Sequence, residues 1–141
     1  MKKLSVFLFT LILLSLTSVS FAQEKIDSAE ITSEVPELFA FHEVIYPMWH
    51  NAYPAKDYEA LKGFVPQIKA SVQAINNAKL PGILREREGD WKTRLNELNA
   101  VAETYYAAAE KNNQEALLEA AEELHREFEM MMRVIRPAIR E

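Results

Sequence analysis

Apolar residues recur along the chain at intervals of three and four, and no stretch alternates with the period of a half-buried strand. Val35, Leu38, His42, Ile45, Trp49 and Ala52 form one such stripe, which predicts a first helix over about 33–50. Thr32 or Ser33 can cap it, and Pro36 suits its first turn, where a missing N–H has no partner to lose. Pro47 removes a donor and crowds the carbonyl of Glu43, which predicts a kink. Leu61, Phe64, Val65, Ile68, Val72 and Ile75 form a second stripe and predict a helix over about 56–78, weakened in its first half by Gly63 and Pro66. Residues 79–90 make the longest connection, with a short helical turn near Ile83 to Glu88 that Gly89-Asp90 stops. Trp91, Leu95, Leu98, Ala102, Tyr105 and Ala109 line a third helix over about 91–110. Asn112 and Glu115 have capping-box spacing for a fourth, whose stripe is Leu117, Ala121, Leu124, Phe128, Met131 and Ile135 and which Pro137 ends. Four long helices with two short links predict an all-α fold, an antiparallel up-down-up-down four-helix bundle.

The amino terminus has a different pattern. Met1-Lys2-Lys3 is positive, Leu4 to Leu16 is apolar, and Ser20-Phe21-Ala22 sets small residues before a cut. This is the form of a secretory signal peptide over 1–22, leaving one bundle domain over 23–141 in the periplasm or secreted. No later window is apolar enough to span a membrane, so no membrane contact is expected once the leader is gone.

Charge and composition narrow the function. Lys and Arg number 16 against 21 Asp and Glu, a net charge of −5 that becomes −7 when Lys2 and Lys3 leave with the leader. An acidic chain lacks the basic field a nucleic-acid binder needs. The absence of Cys excludes disulfide scaffolds, thiolate metal sites, thiol nucleophiles and haem attached through cysteines. No Gly-rich phosphate loop and no nucleophile elbow is present, so an enzyme is the weaker expectation.

The three histidines carry the candidate chemistry. His42 lies in the first stripe and His125 on the fourth helix. In the expected bundle the start of the first helix lies beside the end of the fourth, which puts these two imidazoles at nearly one level. His50 is eight residues beyond His42, about 12 Å along a straight helix. Glu122, His125 and Glu129 are spaced i, i+3, i+7, and Met132 completes that face. Imidazoles with one or two carboxylates suit zinc, nickel or iron, and a thioether adds copper. The expected metal ligands are therefore His42, His125, Glu122, Glu129, Met132 and His50. Glu122-x-x-His125 is half of a di-iron bundle signature, and the chain has no second half. The competing reading of a histidine in an apolar stripe is a packed neutral imidazole with one internal hydrogen bond, and that of His50 is a side chain favoured near a helix end by the helix dipole. Phe39, Phe41, Tyr46, Trp49, Tyr53 and Tyr58 crowd the first helix and its exit. Not all can point inward, which makes this region the candidate surface for a homodimer or a protein partner.

The run Glu110-Lys111-Asn112-Asn113-Gln114-Glu115-Ala116, followed by Ala120-Ala121-Glu122-Glu123-Leu124, resembles the hairpin and last helix of the soluble cytochrome b562 family. The resemblance implies a four-helix bundle holding one non-covalent haem b between a helix 1 methionine and a helix 4 histidine. His125 is the matching position on the last helix. No Met stands at the other position, where His42 is nearest, so a haem here would be bis-histidine. The sequence thus gives two ligand expectations, a transition metal or a b-type haem electron carrier, and a third in which the bundle works by protein contact.

Overall fold

A computed structural model of the chain describes residues 32–136. The leader, its cleavage site and residues 137–141 lie outside the described residues. Among those described the protein is all-helical, with no strand. It has five α-helices, α1 (Pro36–Pro47), α2 (Tyr58–Gly63), α3 (Val65–Asn77), α4 (Glu88–Glu110) and α5 (Gln114–Ile135). A π-helical segment, Met48–Ala52, continues α1, and a 3-10 segment, Gly82–Arg87, leads into α4.

The first helix differs from the one expected. Pro36 does occupy its first turn, but Val35 precedes it with no side-chain cap, and the Thr32 hydroxyl accepts from the Glu34 N–H instead. At Pro47, where a kink was expected, the α-helix gives way to a π turn. Pro47 brings no N–H to the ladder, and the next turn closes through the longer Tyr53 N–H to Met48 carbonyl bond of 2.9 Å. The buried stripe is Val35, Leu38, Phe41, Ile45, Met48 and Ala52. Phe41 and Met48 thus fill the core positions expected of His42 and Trp49. At spacings of three and four the two choices lie on adjacent edges of one face; the larger apolar gain of burying Phe41 than His42 favours the observed one, and Met48 follows seven residues on in the same register.

The second expected helix is broken in two. Asp57 caps α2 by accepting from the Ala60 N–H at 3.0 Å, and α2 ends at Gly63. Pro66 then sits in the first turn of α3, the place where its missing donor does least harm. Leu61, Ile68, Val72 and Ile75 are buried as expected, while Phe64 and Val65 at the break are only half-buried. In the connection, Gly89-Asp90 does not stop the short turn. It runs directly into α4, whose first turn holds both residues.

The link between α4 and α5 is capped one residue later than expected. Asn112 has φ 51°, a left-handed conformation that Asn tolerates better than most residues. Asn113 is therefore the cap, its side chain accepting from the Ala116 N–H at 3.1 Å, while Asn112 accepts from Lys62 Nζ at 2.9 Å. Asn113→Ala should cost about 1 kcal/mol of stability by loss of this cap, read from urea unfolding. An unchanged midpoint would mean that water replaces the cap at no cost.

The core is one cluster. α4 and α5 pack along their length, α3 packs on α1 and α4, and α5 also touches α1, α2 and the π segment. The six expected core residues of α5 are all buried. Tyr105, fully buried, donates from its hydroxyl to the Leu61 carbonyl at 2.6 Å and so ties α4 to α2. No described helix is long and apolar enough to cross a membrane.

Candidate metal and ligand cleft

α1, the π segment and the carboxyl-terminal half of α5 enclose a cleft of about 420 Å³. His42 stands on α1, His50 on the π segment and His125 on α5, and all three line it, with Glu129, Met132 and the aromatic rings of Tyr46, Trp49 and Phe128. In a straight α-helix, eight residues turn about 80° past two full turns, so His42 and His50 would point apart. The wide π turn rotates each residue less and brings His50 back toward the face of His42. π segments of this kind recur at functional sites.

The imidazoles are set in rings. His42 lies nearly parallel to Phe128 at 5.6 Å, and Tyr46 packs between His42 and His50, at 5.8 Å and 4.5 Å. His125 lies flat on Trp49, with centroids 4.1 Å apart and planes 7° apart, and Trp49 in turn stacks on Tyr53 at 4.3 Å. Flat stacking fixes a ring while leaving its nitrogen-bearing edge free. No hydrogen bond joins any of the three imidazoles to another described residue. Among the described residues their only polar neighbour at ion-pair range is Glu43, whose Oε1 is 3.9 Å from His42 Nδ1. The internal hydrogen bond of an ordinary packed histidine is absent here among the described residues.

Burial pushes His125 below the usual histidine value; Glu129 opposes this, and the nearby His50 and His42 add to it. A histidine lowered on folding binds fewer protons folded than unfolded. Its contribution to stability is complete above the unfolded value of 6.5 and is lost as pH falls through the lower folded value. The denaturant midpoint should therefore drop between pH 7 and pH 5, and His125→Gln should flatten that slope. An unaltered slope in the variant would assign the pH effect to other groups.

The six ligands expected from the sequence do not all meet. His42, His50, His125, Glu129 and Met132 share the cleft. Glu122 is not among its lining residues; it accepts from the Tyr53 hydroxyl at 3.1 Å, a bond that raises the Tyr53 pKa. Among the described residues, no three His, Asp or Glu side chains converge on one point at metal-ligand distance. His42 and His50 are exposed, so rotation can bring them inward at little packing cost. Sequence reasoning placed Trp49 in the core stripe and missed it as the plate behind His125. The signal was its position seven residues beyond His42 and next to His50, which only the π turn makes meaningful.

The class defined by this architecture is an all-helical protein with a histidine-lined aromatic cleft. Comparison with protein-family models, curated proteins and solved structures finds no match.

Proposed function

We propose that the protein binds a transition metal ion in this cleft through His42, His50 and His125, with Glu129 balancing charge and Met132 available as a soft donor. The observation that supports the reading is that three imidazoles from three helical elements line one cleft, none of them hydrogen-bonded to another described residue. Neutral imidazole is a good donor for zinc, copper, nickel and iron, and the thioether favours copper among them. The ion would draw His42 and His50 inward to meet His125, which Trp49 already holds. In this reading the helices close as an antiparallel up-down-up-down four-helix bundle, with α1 and the π segment as its first member and α2 with α3 as its second. The packing of each member on the next, and of the first on the last, supports that closure. The leader pattern supports export to the periplasm or beyond.

A b-type haem is the second reading. The volume of the cleft, its aromatic walls and the two arginines at its rim, Arg133 and Arg136, favour it, since guanidinium groups suit anionic propionates. It would place the chain with the cytochrome b562-like electron carriers.

Metal analysis and absorbance of the untagged protein, offered copper, zinc, nickel, iron and haem in turn, test both. One ion per chain, lost in a His42→Ala, His125→Ala double variant, supports the first reading, and a Soret band lost in that variant supports the second. A protein that takes up none of them would leave the exposed Phe39 and Tyr46 as a protein contact, and both ligand readings would fall.

A further inference from the structure

We infer that two copies of the chain pair face to face across the open side of the cleft, about a two-fold axis that reverses the direction of one copy against the other. α1 and α5 of each copy form the contact. The inference is independent of the metal reading.

The first observation is exposed apolar surface. Phe39 is 43% and Tyr46 54% exposed, and with Ile83 they are the exposed large hydrophobic residues of the described chain. The two aromatic residues lie seven apart on α1, about two turns along one face, and both line the mouth of the cleft. Aromatic side chains are enriched in protein contacts. A two-fold contact needs a patch that is its own complement. Two rings on one line meet that condition when the helices run in opposite directions. Phe39 then packs on Tyr46 of the second copy, and Tyr46 on its Phe39. The axis passes between His42 and Glu43.

The second observation is the charge along α5. Residues 114–125 carry four glutamates and no cation. Residues 126–136 carry Arg126, Arg133 and Arg136 against Glu127 and Glu129, and Glu127 is buried against Arg94. A helix acidic in one half and basic in the other repels a parallel copy of itself and attracts a reversed one.

The two observations give one axis. Phe41 and His42 both meet the Phe128 ring, so the axis set by the aromatic pair crosses α5 near Phe128. Glu122 is seven residues before Glu129, which lines the cleft, and so stands on the same face of α5. It lies six residues before Phe128, while Arg133 and Arg136 lie five and eight after it. Along the helix that is about 9 Å one way, and about 8 Å and 12 Å the other. Reversal sets Glu122 of each copy between Arg133 and Arg136 of the other.

The contact is weak. From Glu122 to Arg136 the face is about 21 Å long, and two helices make it about 20 Å wide, so it covers about 400 Å² in projection. A standard interface buries about 800 Å² on each partner. Glu43 and Glu129 near the axis also meet like charge. The dimer is therefore reversible and falls apart on dilution.

Sedimentation equilibrium of the untagged protein, with EDTA present so that no metal contributes, tests the inference. Between about 10 μM and about 1 mM the mass should rise from one chain toward two. Phe39→Ser, Tyr46→Ser should weaken the association by about tenfold or more. Glu122→Arg should be monomeric over that range, and so should Arg133→Glu, Arg136→Glu, because each sets like charges together. Mixed in equal amounts, these two variants should form a heterodimer of wild-type affinity, since every facing charge is then opposite. Circular dichroism shows that each variant is folded, and the serine pair, at two exposed positions, keeps the test decisive if a charge variant does not fold. A wild-type chain that stays monomeric throughout overturns the inference, as does a dimer that survives the serine pair. A mixture of folded charge variants that stays monomeric overturns it too.

Discussion

Arg94→Met destabilises the protein by about 3 kcal/mol at pH 8, because it leaves the Glu127 carboxylate buried without its counter-charge. Glu127 is the one buried charged residue of the described core, and Arg94 Nη1 holds both its oxygens, at 3.1 and 3.3 Å. The lower end of the range for a broken buried pair applies, since the Arg94 side chain keeps 29% of its exposure to water. Burial raises the Glu127 carboxyl above the usual range even in the intact pair, with Arg94 and Arg126 pulling down and Glu97 pushing up. An acid raised on folding holds its proton more tightly folded than unfolded. Its cost is therefore felt as pH rises through the folded value and vanishes below the unfolded one. Without Arg94 that rise is larger, so the loss should shrink between pH 8 and pH 5. Urea unfolding at the two pH values measures it, and Arg94→Met, Glu127→Gln should recover most of the loss. An equal loss at both pH values would mean that the packing of the arginine stem matters, not its charge.

Phe128→Ala costs about 3–5 kcal/mol, as does Phe41→Ala, but only the first disturbs the cleft. The two rings meet edge to face at 5.8 Å, and Phe128 continues to His42, which it faces at 5.6 Å. Phe41 is fully buried, and among the described residues its ring pairs with Phe128 and with no imidazole. Both variants lose core volume, and Phe128→Ala also unseats His42. If His42 is a ligand, Phe128→Ala should weaken metal binding by about tenfold, the lower end for the loss of an outer-shell support, while Phe41→Ala leaves affinity within twofold. Equal effects of the two on affinity would show that binding follows overall stability alone.

Much of the helical scaffold was legible in the sequence, and the reasons differ between its halves. α4 and α5 carry long, uninterrupted stripes with few β-branched residues and no internal Pro, so spacing alone identified eleven of their fifteen buried positions and missed Ala108, Ala120, Glu127 and Val134 at the edges of the stripes. Only Leu95 is less buried than expected. The cap shifted from Asn112 to Asn113 because two adjacent Asn can serve, and the left-handed turn takes the first of them. The first half is harder. Pro47 and Pro66 announced trouble, but proline states only that a bond is missing, not whether the helix bends, widens or breaks. At Pro47 it gives way to a π turn, and at Pro66 it breaks and restarts.

The cleft follows from that ambiguity. His42 and His125 were paired from topology alone. His50 and Trp49 needed the π turn to join them, and no periodicity reports a π turn. Glu122 had the right spacing on the helix and the wrong neighbour, since Tyr53 reaches it from another element 69 residues away.

Histidine-selective nitrogen NMR, followed while zinc is added to the untagged protein, tests the proposed site most directly. Zinc is diamagnetic, so each ring nitrogen can be watched as it takes the ion. The account predicts that His42, His50 and His125 shift together, in one step that saturates at one equivalent. Rings that titrate separately, or stay unmoved while zinc is present in excess, would contradict a shared metal site.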